Sequence, residues 1–427
     1  MSSSLRLRWV AVTVFVLSAA LNYLDRQILA TMVDIWRTSG ASSSAHPGFT
    51  LDYSGYGVLL SVFSIAYALS APLMGWFLDR VGLNAGMALA VAVWAVASFG
   101  TGTVHSFHEL LFWRALLGIA EAAGVSAQAK VSGMYLLPAE RALGAATQQL
   151  GISIGAGLAP AFTVYFAYNY SWRWTFFAAA TASLLWIPLW LATSRAIPAA
   201  VERVGATRSA NTAGQVRDPR LWTLMAANAL GMTVYSLWTN WAPPYLVRVH
   251  HLTPPQAARY SWAVPVAAWL GAFAGGSISW RWIRGGASPV AARKRACLVG
   301  ASLAIITAAV PFTRTPLTAT AGMSLSLFLV AAWSTNLYTI PVDLYGAGRA
   351  AFGVSALVCS YGVMQALVSK PLGLAIERYG FTPVCLILAA LPLAGTLLVY
   401  RLVREERGES ARRGPTNRLQ AQPPDAG

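Results

Sequence analysis

Residues 75–82 read "GWFLDRVG" and close an apolar run that begins near residue 54. The stretch "GSISWRWIRG", 276–285, closes a second apolar run, 257–283, in a similar way. Gly75 corresponds to Gly276 and Arg80 to Arg281, while Asp79 is replaced by Trp280. Outward from these two landmarks the chain divides into apolar runs at 9–33, 54–78, 85–104, 109–133, 141–166, 174–194, 220–247, 257–283, 295–313, 316–342, 350–376 and 381–403. A bilayer core ~30 Å thick is crossed by ~20 mostly apolar helical residues, so each run is long enough to span. The sixth and seventh runs are separated by the longest polar connection inside the chain, "RAIPAAVERVGATRSANTAGQVRDP", 195–219. Six runs on either side, with an echo between them, indicate an internal duplication.

Composition agrees. Of 427 residues, 56% are hydrophobic and only 11% charged, with mean hydropathy +0.53. Soluble domains carry roughly 25% charged residues. The sequence therefore predicts an all-α integral membrane protein with twelve transmembrane helices in two pseudo-symmetric six-helix bundles. The expected organisation is a first bundle over 1–194, a central loop over 195–219, a second bundle over 220–404 and a polar, disordered tail over 405–427. The first run is long and carries charges, so it reads as a retained helix rather than a cleaved leader.

The net charge of +16 would suit nucleic acid, but its distribution argues for a membrane. With the N-terminus inside, one side receives Arg6, Arg8, Arg80, Arg141, Arg195, the arginines of the central loop, Arg281, Arg284, Arg293, Lys294, Arg295, Arg349 and the basic tail. The other side receives only Arg37, Arg173, Arg248, Arg259, Arg314 and Arg378. This is the positive-inside bias, and it places both termini in the cytoplasm. No nucleic-acid partner is expected. Cys297, Cys359 and Cys385 fall within runs at spacings that suit neither a metal nor a disulfide framework, and read as small core residues. The five histidines lie in expected outer loops, and no metalloprotease or nucleophile-elbow motif is present. No cofactor is expected, and an embedded enzyme is the weaker reading.

The informative residues are charges inside the apolar runs. "NYLDRQ", 22–27, puts Asp25 and Arg26 together in the first run; the fourth holds Arg114, Glu121 and Lys130; the eleventh holds Lys370. A charge at the bilayer centre costs several kcal/mol or more and is tolerated best on a watered cavity, paired across helices. Arg114 and Glu121, seven apart, share one helix face ~10 Å apart along the axis, so each is expected to face another helix. Asp25 and Glu121 are the only acids read as lying well inside. A carboxylate there can gain a proton at one stage of a cycle and lose it at another, since dehydration favours the neutral form and a neighbouring Arg the ionised form. They are the proton-site candidates. Arg26, whose fork can hold both oxygens of a carboxylate, leads the anion-binding candidates, with Arg114, Lys130, Asn22 and Tyr23. Asn240, Asn336, Tyr361 and Gln365 are softer candidates from the second half. Lys370, before Pro371, reads as a snorkelling side chain. The glycine runs "GISIGAG", 151–157, and "GAFAGG", 271–276, suit close helix approach.

Gly75-Trp-Phe-Leu-Asp79-Arg80-Val-Gly82 resembles the cytoplasmic loop signature of the major facilitator superfamily. Within it, "NYLDRQ", "RALLGIAEAAG" (114–124), "AERALG" (139–144) and "SWRWTF" (171–176) resemble the anion:cation symporter family, whose members include proton-linked transporters of hexuronates and galactonate. The likeness is close in the first half and loose in the second. It departs at Leu83-Asn84, where basic residues are usual, and in the long stretch 38–53. It implies a major facilitator fold, a transporter rather than an enzyme, and inner-membrane location as a monomer among lipids. It further implies proton-coupled symport of a small organic anion such as a sugar acid, and a substrate-facing role for Tyr67. Asp79 and Arg80, with Gly75 and Gly82, would form a gating latch. A proton-antiport exporter and a non-transporting sensor are the rival readings.

Overall fold

The computed structural model describes residues 3–38, 49, 51–136, 140–197, 213–345 and 350–403. Readings placed on most of the 38–53 stretch, on much of the central loop, on Arg349 and on the tail lie outside these residues. The described chain is helical without strands: α1 (Ser3–Thr38), α2 (Tyr53–Val81), α3 (Leu83–Thr101), α4 (Phe107–Glu121), α5 (Ala123–Tyr135), α6 (Arg141–Asn169), α7 (Trp172–Ala196), a turn α8 (Ala213–Val216), α9 (Pro219–Val249), α10 (Pro254–Ser261), α11 (Ala263–Arg284), α12 (Pro289–Leu303) continued by a 3₁₀ helix (Ala304–Phe312), α13 (Pro316–Tyr345), α14 (Ala350–Tyr379) and α15 (Phe381–Leu402). Taking α4 with α5, α10 with α11, and α12 with its 3₁₀ extension, these are the twelve expected spans.

Among the described residues, eleven spans are long and apolar enough to cross a membrane. The exception is α9, 31 residues long, whose Asn228, Tyr235, Trp238 and Asn240 lower its hydropathy. Asn228, Trp238 and Asn240 are buried against other helices, so this span meets protein more than lipid. Elsewhere large apolar side chains stand outward, as at Leu69, Leu185, Phe273 and Leu367. Such a belt would be untenable in water and suits hydrocarbon. Cys359 is exposed, unlike Cys297 and Cys385, so the expectation of three core cysteines holds for two of them. Helix starts are capped in the usual way: Asp52 accepts from the Gly55 N–H, Ser106 from that of Glu109 and Ser288 from that of Ala291. The abrupt α2–α3 corner is made by Gly82, whose φ of 88° a side chain would oppose.

The two halves use one packing device twice. Gly151 and Gly155 of α6 sit against the backbone carbonyls of Val16 and Ala20 on α1. Gly271 and Gly275 of α11 sit against those of Phe328 and Ala332 on α13. Glycines four apart present a smooth stripe, and the partner backbone rides on it. Each loop end also carries an arginine on a tryptophan one turn earlier, though not at the echoed positions: Arg80 on Trp76 at 4.7 Å, and Arg284 on Trp280 at 4.8 Å.

The halves meet most tightly at the end where α1 stops, α2 starts and α9 and α14 stop. Gly57 of α2 sits on the Ser369 carbonyl of α14, and Gly373 of α14 on that of Tyr53. Tyr56 Oη donates to the Asn240 carbonyl at 2.9 Å, and Trp241 packs edge-on against Tyr53 and Tyr56. Arg37 of α1 pairs with Glu377 of α14 at 3.1 Å. This is called the closed end below.

Candidate functional site

The opposite charges of α1 and the fourth span meet at the heart of the first half. Arg26 Nη2 lies 2.7 Å and Nε 3.1 Å from Glu121 Oε2. Nη2 also donates to Asn22 Oδ1, one turn earlier, at 3.4 Å. Aromatic faces hold the guanidinium: its central carbon is 4.7 Å from the Tyr23 ring, 4.7 Å from Phe63 and 5.2 Å from Tyr67. Such faces attract a cation while supplying no counter-charge. The Arg26 side chain keeps 19% of its surface exposed, whereas Glu121 keeps none. Glu121 Oε1 is buried with no hydrogen-bond partner.

The backbone explains how Glu121 reaches this point. The fourth span passes from α4 to α5 at Ala122, whose backbone stays in the right-handed helical region (φ −60°, ψ −21°). Glu121 is the last residue of α4, and Gly124 leaves open space just beyond it. A cavity opens there, lined among others by Ser18, Asn22, Arg26, Tyr67, Glu121, Gln128 and Gln148. Its other described walls, including Phe15, Trp94 and Ile152, also come from the first half. The lining thus combines one cation, Arg26, with the Glu121 carboxylate, several amides and hydroxyls, and aromatic walls.

Asp25 turns away from this cavity. It is 1% exposed, accepts from Ser98 Oγ of α3 at 2.9 Å, and leaves Oδ2 buried without a partner. Arg114 is buried, with Nε and Nη2 unpaired, and its charge acts on both Asp25 and Glu121. Four ionisable groups, two of each sign, therefore share one buried volume.

The second half offers no charge to this volume among the described residues. It offers tyrosines: Tyr235 and Tyr361 meet edge-on at 6.5 Å, and both interact electrostatically with Tyr23 and Arg26. Tyr235 also interacts with Gln149 of the first half. Behind them Asn228 donates to the Leu357 carbonyl at 2.7 Å and to Ser360 Oγ at 3.0 Å, and contacts Tyr338 Oη at 3.4 Å. Gln365 follows Tyr361 one turn on along α14.

Other sequence candidates are placed elsewhere. Lys130 Nζ is 2.7 Å from Asp79 and 2.8 Å from the Leu78 carbonyl, at the end of α2 remote from the closed end. Asn240 donates to its own helix, at the Ser236 carbonyl, and its carbonyl serves the closed end. Asn336 ties α13 to the Gly275 carbonyl of α11 at 3.0 Å. Arg80 lies on Trp76, and Gly75 faces Ser126. Lys370 is exposed on α14.

Sequence reasoning missed Asp34. It is 1% exposed and accepts from Tyr53 Oη at 2.7 Å, so Asp25 and Glu121 are not the only buried acids. α1 continues to Thr38, past the apolar run that ended at 33, and the closeness of Asp34 to Arg37 reads in sequence as a loop edge.

The chain resembles known proteins along nearly its whole length. The family model described as Major Facilitator Superfamily matches residues 15–369. A hexuronate transporter of Escherichia coli (strain K12) is 24% identical over 420 residues, covering 94% of this chain and 95% of that protein. A D-galactonate transporter of Escherichia coli O6:H1 is 23% identical over 427 residues, covering 93% and 96%. A galacturonate transporter of Dickeya chrysanthemi is 23% identical over 287 residues, covering 63% of this chain and 81% of that protein. Two solved structures share the fold. A bacterial homolog of the human lysosomal transporter Spinster, inward-facing and unoccupied, gives a TM-score of 0.72 at 20% identity over 94% of this chain and 96% of that one. A D-xylose–proton symporter gives 0.70 at 13% identity over 94% and 98%. Fold, cavity and family match agree: this chain belongs to the Major Facilitator Superfamily, a superfamily of membrane transporters.

Proposed function

We propose that the protein is a proton-coupled symporter of a small organic anion, a sugar acid such as a hexuronate or an aldonate, working by alternating access. The observation that carries this reading is Arg26, held on a cavity wall with Glu121 as its counter-ion. A substrate carboxylate competes for the guanidinium edge that Glu121 occupies. Protonating Glu121 releases that edge, so proton and anion favour each other's binding. Asp25 and Glu121 are the proton sites, and Arg26 the anion anchor. The relatives named for hexuronate, galacturonate and galactonate support the substrate class.

With both termini in the cytoplasm, the orientation the arginine bias favours, the closed end is the outer one and this conformation is inward-facing. Asp79 and Arg80 then lie at the inner end and act as a latch in the outward-facing state. Here Asp79 is held by Lys130 of its own half.

The test is accumulation and counterflow of labelled galacturonate, glucuronate and galactonate in the same proteoliposomes. Asp25→Asn and Glu121→Gln lose proton-driven accumulation, while counterflow survives in at least one, because exchange needs no deprotonation. Arg26→Ala abolishes binding with the fold intact. A sensor binds without accumulating, and an exporter accumulates only in inverted vesicles. Accumulation by both acid variants at the parent's level removes Asp25 and Glu121 as proton sites.

A further inference from the structure

At the closed end the first half presents a carboxylate receptor, and the second half fills it with its own side chain. Arg37, in the last turn of α1, holds both oxygens of Glu377, with Nη1–Oε2 at 3.1 Å and Nη2–Oε1 at 3.4 Å. The Tyr53 N–H, at the start of α2, donates to Glu377 Oε2 at 3.0 Å. The Tyr53 ring lies 4.1 Å from the Arg37 guanidinium and sets its plane. The ring is itself fixed by its hydroxyl's bond to Asp34, 2.7 Å long. A two-bond fork plus a helix-terminal N–H is a recognised way to hold a carboxylate.

Glu377 is bound to its own half as well. Arg248 Nη1 lies 3.8 Å from Glu377 Oε2, and Nη2 donates to the Glu377 carbonyl at 2.9 Å. When the halves part at this end, Glu377 leaves with α14 and keeps Arg248 as counter-ion. Arg37 and the Tyr53 N–H stay behind on the first half without Glu377; the carboxylate left beside them is Asp34, one turn earlier on α1, with Oδ1 held by the Tyr53 hydroxyl. Arg37 is eleven residues beyond Arg26 on one unbroken helix. Eleven residues are about three turns and ~16 Å, so the two arginines share a face of α1. Arg37 therefore lies toward the closed end on the helix face that carries Arg26 to the cavity.

We propose that Arg37 and the Tyr53 N–H form an outer loading site for the carboxylate of the transported anion. Glu377 is its internal stand-in, which displaces the anion toward Arg26 as this end closes. The Arg37 fork and the Tyr53 N–H take one incoming carboxylate in either state, beside the fixed Asp34, so closing exchanges one negative partner for another. The proposal rests on the organic-anion reading above.

The experiment measures initial rates of galacturonate, glucuronate and galactonate movement from each face of oriented proteoliposomes. Arg37→Ala should raise KM for entry from the outer face about tenfold, the loss of one good charge-assisted contact, and leave KM for exit from the inner face unchanged. Arg37→Lys, a charge without a fork, should fall between. Glu377→Gln removes the stand-in and keeps the receptor, so its outer KM should equal or fall below the parent's. If Arg37 and Glu377 form only a latch, Arg37→Ala and Glu377→Gln shift KM in the same direction, and the proposal is overturned. Parent-like kinetics in Arg37→Ala overturn it equally. Arg26→Ala tests the underlying reading by itself, since it must impair movement from both faces. A parent that carries none of the three acids overturns that reading, and the loading site with it.

Discussion

Replacing Glu121 by Gln tests whether Arg26 is held in reserve for a carboxylate. Both bonds from Arg26 fall on a single oxygen of Glu121, at 2.7 and 3.1 Å. Breaking a fully buried pair by removing one partner costs about 3–5 kcal/mol. Two facts reduce that figure. Arg26 keeps 19% of its surface on the cavity, and Gln retains an oxygen that accepts neutral hydrogen bonds. Charged hydrogen bonds exceed neutral ones by about 1 kcal/mol each, so the two together leave a deficit of about 2 kcal/mol. In the parent a ligand carboxylate must overcome this attraction; in the variant it does not. Binding should therefore tighten by about 2 kcal/mol, roughly 30-fold. The pH dependence gives the sign independently. Under the proposed competition, protonating Glu121 frees Arg26, so the parent's affinity should rise as pH falls, whereas in Glu121→Gln it should stay high with no such slope. Titration calorimetry of the purified protein with galacturonate at about pH 5.5 and about pH 8 reads both effects. Unchanged affinity with the parent's pH slope intact would refute the competition between Glu121 and the substrate.

Three further outcomes are expected. Ser98→Ala removes the donor to Asp25 and should cost about 1–3 kcal/mol in thermal unfolding; in the Asp25→Asn background the same change should cost much less, and equal costs would sever Ser98 from the Asp25 charge. Gly155→Leu forces a side chain into the Ala20 carbonyl and should abolish folded protein by size exclusion, whereas Gly124→Ala, with open space around it, should fold normally; a well-folded Gly155→Leu would contradict the close α1–α6 packing. In a cysteine-free background, His105→Cys should react with an impermeant maleimide in intact cells and Ala287→Cys should not, and the reverse pattern would invert the proposed orientation.

The fold was legible because lipid imposes a strong rule: every spanning segment must be apolar and helical. The twelve runs follow from that rule, and the glycine stripes could be read because only small residues permit backbone contact. The turn between α4 and α5 at Ala122 was not legible, because the backbone there stays helical and no proline lies in 107–135. Pairing across helices was partly legible. Arg26 and Glu121 are conspicuous against apolar sequence, but Lys130 is equally so, and its partner turned out to be Asp79 rather than a ligand. A charge's depth can be read from its position along a helix; the face it presents depends on the tertiary contacts of α1 and α2. Asp34 escaped for the same reason. Its sequence neighbourhood looks like a helix end at the membrane surface, and its burial comes from Tyr53 on another helix.

The charge balance of the central group bears on stoichiometry. Asp25, Glu121, Arg26 and Arg114 sum to zero when all are ionised, and these four lie in one buried volume. In a medium of low dielectric constant a net charge is expensive, far more so than at a surface. A substrate with one carboxylate brings the group to one negative charge, and one proton restores neutrality. A second proton would leave a net positive charge with no partner on the second half, whose described residues around the cavity are tyrosines and an amide. Asp25 and Glu121 would then hold a single added proton between them, which is why neutralising either one should stop accumulation. The expected ratio is one proton per galacturonate, with uptake insensitive to membrane potential. Reversal measurements in proteoliposomes, at fixed proton gradient and varied potassium diffusion potential, read this ratio directly. A ratio of two, or a reversal point that moves with potential, would show that the group tolerates an uncompensated charge and would refute the neutrality argument.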